Sequence, residues 1–454
     1  DVYKRQAHSL AQQFADGTTD PVAALENALL RAERVPEAFI TLCEERALRE
    51  AAAAKARWQA GQPLSPFDGV PVAWKDLYDL AGCVTTAGAK VRLHDQPASR
   101  DCSLATMLSR AGMVNIGKTN LSELAYSGLG LNPHFGTPAN ISFVGEVRAP
   151  GGSSSGSAIA VAQGCAPIGM STDTAGSIRV PAAFNGLVGY RSSAKRYSFE
   201  GVTPLASSLD SLGPITHSVR DAIVVDNLLL GDQNGMPLDT SGLPAAGLKL
   251  CVDIDLLDDS RIQPEVRANL LAALDRLAAA GAVVERKKVK AFEQALDVIE
   301  QIGWLGSAEA FAYYQALLDS TDAEQLDPRV RKRLEAARAF PASKQVRLYQ
   351  AAEALKAQIA RELDGAFLVT PTVGHVAPLL APLEEDANLF VATNLATLRL
   401  TMPGSMLDMP GIALPSGTGE AGLPTSLLLS SVSGNDKELL RAGLAIEPYV
   451  RGVN

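Results

Sequence analysis

The sequence predicts a layered α/β fold, and three observations lead to this prediction. Short apolar runs bounded by glycine or proline alternate with longer segments of helical periodicity along the 454 residues. Hydrophobic residues make up 47% of the chain, which is enough to bury a large core. The length alone would suit two or three domains. Because short strands in the second half can join the same sheet, we expect both halves to complete one domain.

The first half begins with helices. Residues 1–6 (DVYKRQ) resemble a translated adapter sequence from environmental gene assemblies, so we interpret them as a non-native leader with the natural start missing. Residues 7–62 are predicted to be alanine-rich helices, one of which begins at the capping sequence 19–21. A core region at 63–231 follows. Its first elements are predicted as a buried strand at 69–74, a helix near 101–111 and a strand at 113–117.

The second half is separated from the first by a polar stretch that contains glycine and proline. We predict a surface linker at 232–246, and residues 247–454 are predicted to complete the same α/β domain. The elements predicted there are strands at 248–254, 366–370, 411–414 and 426–429, helices at 265–280 and 435–446, and a helical region at 291–363 with breaks near 327–328 and 341.

Composition excludes several classes of function. A net charge of −9 disfavours unaided binding to nucleic acid or to anionic membranes. No apolar run reaches the ~18 residues that a membrane span needs. The five cysteines form no CxxC pair, which is typical of free thiols in a reducing compartment. We therefore expect a cytoplasmic protein, with a signal peptide lost together with the natural start as the alternative. The five histidines lack metal-binding spacing, so no metal and no cofactor are expected.

A Gly/Ser turn at 150–157 (PGGSSSGS) is the most informative segment. Two glycines and three consecutive serines, among them Ser153 and Ser154, contribute little to a core but expose N–H groups and hydroxyls where a helix begins. A phosphate-binding loop is one alternative, although the lysine of that motif is missing. A plain loop without function is the other.

A second small-residue turn lies at 171–181 (STDTAGSIRVP). It ends in Ser177, and the N–H groups around Thr174–Ser177 can converge on one oxygen, as an oxyanion hole requires. A capped helix without function is the alternative interpretation.

A third segment, 69–76 (GVPVAWKD), places Lys75 at the end of an apolar strand. Lysine is rarely buried, and burial lowers its pKa, so that it can act as a general base. The alternative is a lysine whose amine reaches solvent along the surface.

Together the three segments closely resemble the pattern of the amidase-signature family. Ser153 and Ser177 are 24 residues apart, as in that pattern. Further similarity lies in GKTN at 117–120 with Glu123, in Phe135-Gly136 with Asn140, and in GLP at 422–424. The resemblance implies a mixed, twisted sheet of about eleven strands with helices on both faces. It also makes 63–231 the catalytic core.

The resemblance implies specific roles for the matching residues. Lys75 is the base, Ser153 follows a cis peptide bond and relays the proton, and Ser177 is the nucleophile. The N–H groups of Thr174, Ala175, Gly176 and Ser177 form the oxyanion hole. Ser154, Asp173 and Arg179 support these residues through hydrogen bonds. Alanine at 175 and serine at 155 depart from the glycines that are common in the family.

The resemblance also implies a C–N hydrolase. Its substrate is a small, mostly uncharged amide or carbamate (urethane), with esters as a further option. A monomer or homodimer with no nucleic-acid or membrane partner is expected. Apolar pocket candidates are Tyr126, Gly128, Leu129, Leu131, Phe135 and Met406, each of which fits a core role equally well. The alternative function is a glutaminase-type subunit of a tRNA-dependent amidotransferase. A catalytically inactive scaffold is disfavoured because Lys75, Ser153 and Ser177 are all present.

Overall fold

An eleven-stranded mixed sheet forms the centre of the protein, as expected. The computed structural model describes residues 6–140, 145–231 and 241–452. The strands are β1 (Phe39–Leu42), β2 (Pro71–Lys75), β3 (Val114–Thr119), β4 (Ile168–Asp173), β5 (Val188–Arg191), β6 (Ser211–Thr216), β7 (Lys249–Val252), β8 (Val283–Arg286), β9 (Phe367–Pro371), β10 (Gly411–Thr418) and β11 (Pro424–Ser430). Their order across the sheet is β1-β3-β2-β4-β6-β5-β10-β11-β9-β7-β8.

Helices pack on both faces of this sheet, which confirms the predicted α/β class. The longer helices are α1 (Ala7–Ala15), α2 (Pro21–Ala32), α3 (Glu44–Gln59), α4 (Ser103–Arg110), α5 (Ser155–Ala162), α7 (Val219–Leu229), α9 (Pro264–Ala279), α10 (Lys290–Gln301), α11 (Gly306–Leu318), α12 (Pro328–Ala336), α13 (Ala342–Leu363), α15 (Ala387–Leu398) and α17 (Asp436–Arg451). The shorter ones are α6 (Arg179–Phe184), α8 (Ile254–Leu257), α14 (Leu380–Glu385) and α16 (Met402–Met406). Alternate residues of β2 belong to different hydrophobic clusters, with Val72 and Trp74 in one and Ala73 in another.

The sheet divides into two parts that follow the order of the chain. Strands β1–β6 lie together on one side and β7–β11 on the other. Among the described residues, a single antiparallel pair of strands, β5 with β10, joins the two parts of the sheet through Gly189, Tyr190 and Arg191. The halves of the sequence therefore complete one sheet.

Three details of the predicted secondary structure need correction. Residues 7–62 also contain a strand, β1, which pairs antiparallel with β3. The strand predicted at 248–254 ends at Val252, because the Asp253 carboxylate accepts from the N–H of Leu256 and so begins a helix. The helical region at 291–363 has a further break between α10 and α11, where Gly303 adopts a positive φ of 132°.

Some predicted features lie outside the described residues. These are most of the leader at 1–6 and residues 232–240 of the linker. Among the described residues, no helix is long and apolar enough to cross a membrane.

The edge of the sheet at the end of β2 positions the predicted catalytic segments. Strands β2 and β4 are parallel neighbours, with Trp74 opposite Met170. Their carboxyl ends, Lys75 and Asp173, therefore meet at the same edge of the sheet. The Gly/Ser turn enters α5 beside this edge.

Candidate active site

Lys75 ends β2 with its side chain fully buried. Its amine lies 2.7 Å from Ser153 Oγ and 2.8 Å from Thr172 Oγ1. Within the described parts of the chain, no carboxylate forms an ion pair with it. The amine is thus surrounded by hydroxyl groups.

Burial lowers the pKa of Lys75 to about 7. Asp173 and Asp210 act in the opposite direction, because more distant negative charges favour the ammonium form. Near neutral pH a substantial fraction of the amine is therefore unprotonated. In that form it can accept a proton from the Ser153 hydroxyl at hydrogen-bond distance.

Ser153 lies in the Gly/Ser turn, and the peptide bond between Gly152 and Ser153 is cis. Gly152 is closely surrounded, since a Cβ there would lie 2.5 Å from the backbone nitrogen of Gly130. Ser154 links this turn to the second one, because its N–H donates to the Ser177 carbonyl at 3.3 Å. Its hydroxyl also donates to the carbonyl of Thr172. Backbone contacts thus bring the two predicted serine turns together.

Asp173 closes the turn that carries Ser177. Its carboxylate accepts from the N–H of Ile178 at 3.1 Å and from the guanidinium of Arg179 at 2.9 Å. Burial alone would raise the pKa of this carboxyl, but Arg179 and Arg191 hold it well below its usual range. The predicted association of Asp173 with Arg179 is present, and Arg191 is an additional member that the sequence did not reveal.

Four consecutive backbone donors lie between Asp173 and Ile178. The N–H groups of residues 174–177 have no acceptor within the part of the chain that the structure describes. The positive φ of this turn falls on Gly176, at 148°, and Ala175 is not among the residues with positive φ. Alanine at 175 is therefore compatible with a turn of free donors, which could bind an oxyanion.

Two side chains hold this turn of donors in place. The Thr401 hydroxyl donates to the Ala175 carbonyl at 2.6 Å, and the Thr174 hydroxyl donates to Asp210 at 2.6 Å. Arg179 also donates to the carbonyl of Thr401, so the segment before α16 is connected to Asp173. These contacts fix the orientation of the peptide groups at 174–176.

Ser177 itself is nearly buried, with 6% of its surface exposed. Among the described residues its hydroxyl makes no hydrogen bond, and none joins it to Ser153. Catalytic hydrogen bonds are often long without substrate and tighten when substrate binds. The described residues thus contain the hydrogen bond between Lys75 and Ser153 but none between Ser153 and Ser177.

An apolar wall lies beside the donors. Ala175 packs against a hydrophobic cluster that includes Leu398 and Met402, with Ile299 and Trp304 partly buried at its edge. Met402 rather than Met406 is the methionine of α16 in this cluster, because Met406 packs into a different core with Leu407 and Met409.

The other predicted pocket residues have different surroundings. Tyr126 packs under the guanidinium of Arg333, and the Gly128 N–H donates to the side chain of Asn394. Leu129 and Leu131 belong to a buried cluster with Phe390. Phe135 is half-buried, and its N–H donates to Asn132. Their role in binding stays a prediction.

Thr172, Asp210 and Thr401 contact the predicted catalytic groups but were not singled out from the sequence. Thr172 and Asp210 stand within or next to strands, where polar residues are ordinary. The clearest available signal was the position of Thr172, at the end of an apolar run and shortly before Ser177. Nothing local marks Thr401. No group of three His, Cys, Asp or Glu residues suited to a metal occurs among the described residues.

A second buried lysine lies next to the first. Lys118 on β3 forms an ion pair with Asp76 at 2.7 Å, and both side chains are fully buried. Its amine also donates to Thr85 Oγ1 at 2.8 Å. Because Asp76 directly follows Lys75, this pair supports the end of β2.

Comparisons with known proteins agree on one family. A family model described as Amidase matches residues 23–440. The 2-amino-5-chloromuconic acid deaminase of Comamonas testosteroni is 33% identical over 91% of this chain and 88% of its own length. One subunit of the glutamyl-tRNA(Gln) amidotransferase of Koribacter versatilis is 31% identical over 92% of both chains.

Solved structures are similar over nearly the whole chain. A crystal structure of an amidase superposes with a TM-score of 0.85 at 33% identity, covering 97% of this chain and 99% of that one. The peptide amidase of Stenotrophomonas maltophilia superposes with a TM-score of 0.79 at 25% identity, covering 98% and 97%.

Proposed function

The chain belongs to the amidase-signature family and is a hydrolase of C–N bonds, and from this premise we propose that it cleaves a small amide or carbamate through an acyl-serine at Ser177, which for a carbamate is an alkoxycarbonyl-serine. The observation that carries the proposal is the buried Lys75 amine at 2.7 Å from Ser153 Oγ, beside a turn of four free N–H groups. A base and an oxyanion hole at one edge of the sheet are the two groups that acyl transfer requires.

The first step is the activation of Ser177. Neutral Lys75 accepts the proton of Ser153, which in turn accepts the proton of Ser177. The Ser177 oxygen attacks the carbonyl carbon, and the developing oxyanion accepts hydrogen bonds from the N–H groups of residues 174–177. Such donors contribute most in a buried site, where water does not compete.

The second step is the departure of the amine. The proton held by Lys75 returns through Ser153 to the leaving nitrogen, and the C–N bond breaks. Water then attacks the acyl-serine, or the alkoxycarbonyl-serine that C–N cleavage of a carbamate leaves, with the same groups as base and relay. The proton balance closes within the three side chains, so the mechanism uses no cofactor.

The surroundings of Ala175 support an uncharged group next to the reacting carbonyl. Ala175 packs against the hydrophobic cluster that contains Leu398 and Met402, and Trp304 packs against the same cluster. Small aryl or alkyl amides and urethanes match this chemistry, and esters are a further option. A monomer or homodimer in the cytoplasm, acting without nucleic acid, completes the proposal.

The identity of the nucleophile can be tested directly. Ser177→Ala should lower kcat/KM on a p-nitroanilide or carbamate by about 10⁴-fold or more, because the covalent route is lost. A fluorophosphonate probe should label the unmodified enzyme at Ser177, as located by peptide mass spectrometry. Ser155→Ala is a matched control in the neighbouring turn, since the Ser155 hydroxyl has no hydrogen-bond partner among the described residues. Labelling at Ser153 instead would refute the assignment.

A second candidate is a substrate that carries a carboxylate. The Arg333 guanidinium lies over the Tyr126 ring, 4.6 Å from its centroid, and donates to the Tyr126 carbonyl. No ion pair with a carboxylate is present for it among the described residues. The similarity to a deaminase of 2-amino-5-chloromuconic acid supports an acidic substrate, and the alternative of a glutaminase-type subunit likewise requires a carboxylate-bearing substrate.

This candidate predicts a difference between substrates. Arg333→Met should raise KM about tenfold for glutamine or an unsaturated amino acid, whereas an uncharged anilide should be unaffected, because only the first two offer a partner for the guanidinium. Arg333→Lys is the control that keeps the charge. Equal changes for charged and uncharged substrates would contradict a carboxylate site at Arg333 and leave the amide proposal standing.

A further inference from the structure

Cys43 and Cys83 lie side by side although they are 40 residues apart in the sequence. Their sulfur atoms are 3.5 Å from each other. Cys43 is the residue before α3, and Cys83 lies in the loop between β2 and α4. Both side chains are half-buried and therefore accessible to small molecules, whereas the other three cysteines are buried.

The surroundings of the pair favour a reactive thiolate on Cys83. A hydrogen bond from Cys43 lowers the pKa of Cys83 to about 7, burial opposes this effect, and Lys118 and Arg46 add to it. The same contact raises the pKa of Cys43, so Cys43 keeps its proton. The contact therefore favours ionisation of Cys83 over Cys43.

The loop that carries Cys83 also supports the end of β2. Val84 and Thr85 accept hydrogen bonds from Lys118, at 3.3 Å and 2.8 Å. The next residue, Thr86, donates its N–H to Asp76, the partner of Lys118. Because Asp76 directly follows Lys75, these contacts connect residues 84–86 to the segment that carries Lys75.

We propose that Cys43 and Cys83 form a peroxide-sensitive switch, a reversible disulfide whose closure displaces residues 83–86 and lowers turnover. A disulfide has an S–S distance of about 2.05 Å, so the two sulfur atoms must approach each other by about 1.5 Å. Cys83 lies on a loop, whereas Cys43 is held between β1 and α3. The loop therefore moves more.

The chemistry balances with hydrogen peroxide as the oxidant. The Cys83 thiolate attacks one peroxide oxygen, the O–O bond breaks, and hydroxide leaves to form water with the proton that Cys83 had released. The Cys43 sulfur then attacks the sulfenic acid, the S–O bond breaks, and the hydroxyl leaves as water with the Cys43 proton. Two thiols and one peroxide become one disulfide and two waters, and a dithiol reductant reverses the change.

The experiment treats the purified chain with a small excess of hydrogen peroxide. Free thiols under denaturing conditions should fall from five to three, and peptide mass spectrometry should find Cys43 joined to Cys83. In the same sample kcat/KM should fall about tenfold, since small misplacements of catalytic groups cost this much or more. Dithiothreitol should restore both the number of free thiols and kcat/KM.

Variants separate this effect from general oxidation. Cys43→Ser and Cys83→Ser should keep the activity of the reduced enzyme and lose the reversible response to peroxide. Cys251→Ser, at a buried cysteine outside the pair, should keep that response. A disulfide between other cysteines, or none, would overturn the proposal, as would a Cys43–Cys83 disulfide that leaves kcat/KM unchanged. The thiol count does not depend on the substrate, so failure here is distinct from failure of the amide mechanism.

Discussion

Lys75 and Lys118 stand on neighbouring parallel strands, and both side chains are completely buried. They differ in the partner of the amine. Lys118 lies 2.7 Å from a carboxylate oxygen of Asp76, whereas Lys75 contacts the hydroxyls of Ser153 and Thr172. A carboxylate at that distance favours the ammonium form, and hydroxyls in a dry interior do not. Burial alone therefore does not make a base of a lysine, because the partner decides which form is stable.

The strongest test of this difference is the removal of the Lys75 amine. Lys75→Ala should lower kcat/KM about 10³-fold or more because the base is lost, and Lys75→Arg should not rescue it because guanidinium stays protonated. In the unmodified enzyme kcat/KM should rise with pH through about 7 and level off above it, since a lysine with a lowered pKa is charged below that value and neutral above it.

Rates measured from about pH 5.5 to about pH 9.5 decide this point, because this window spans both protonation states of the amine. Circular dichroism of both variants serves as the control for folding. A Lys75→Ala enzyme that keeps most of its activity and an unchanged pH profile would show that Lys75 is not the base.

The corresponding change at Lys118 should act on stability. Lys118→Met leaves the Asp76 carboxylate buried without its cation and should lower the free energy of unfolding by about 3–5 kcal/mol. Urea denaturation measures this loss. The double variant Lys118→Met/Asp76→Asn should recover part of it, because the unpaired charge is then gone. If Lys118→Met is as stable as the unmodified protein, the ion pair contributes nothing to the free energy of unfolding. The proposed difference between Lys118 as a structural residue and Lys75 as a base would then have no support.

The smallest expected effect comes from giving Lys75 a carboxylate of its own. Thr172→Asp places a negative charge near the amine, raises the pKa of Lys75, and should move the rising limb of the pH profile up by about one unit. At pH 7 this is a loss of about fivefold, because the neutral fraction of the amine falls from about one half to about one tenth, and alkaline pH should restore the rate. Thr172→Asn controls for shape without charge. If the rising part of the pH profile lies at the same pH in Thr172→Asp as in the unmodified enzyme, a group other than Lys75 controls it.

The sequence was informative where chemistry depends on local composition. Small-residue turns around Ser153 and Ser177 and an apolar strand ending in Lys75 are visible as short patterns, and their resemblance to a known family led to the eleven-stranded fold. Thr401 was invisible because it contacts Ala175 across 226 residues, and Asp210 reaches Thr174 across 36. Such contacts follow from the arrangement of strands, which short-range periodicity does not encode.

The same limit explains two smaller differences. Strand β1 has four residues and lies among strong helix formers, so local preference favoured a helix and the pairing with β3 decided otherwise. Met406 and Met402 are one turn apart in α16, and only the packing of that short helix determines which of them joins the hydrophobic cluster against which Ala175 packs.

The junction of β5 with β10 between the two parts of the sheet implies an order of assembly during synthesis. The ribosome delivers β1–β6 first, and their mutual pairings need nothing beyond Thr216. Strand β5 remains an unpaired edge strand until Gly411 has been synthesised, and an unpaired edge can form hydrogen bonds with other chains. A prematurely terminated product would carry Lys75, Ser153 and Ser177 without Thr401. We therefore expect truncated chains to aggregate through β5 rather than to act as small, unregulated hydrolases.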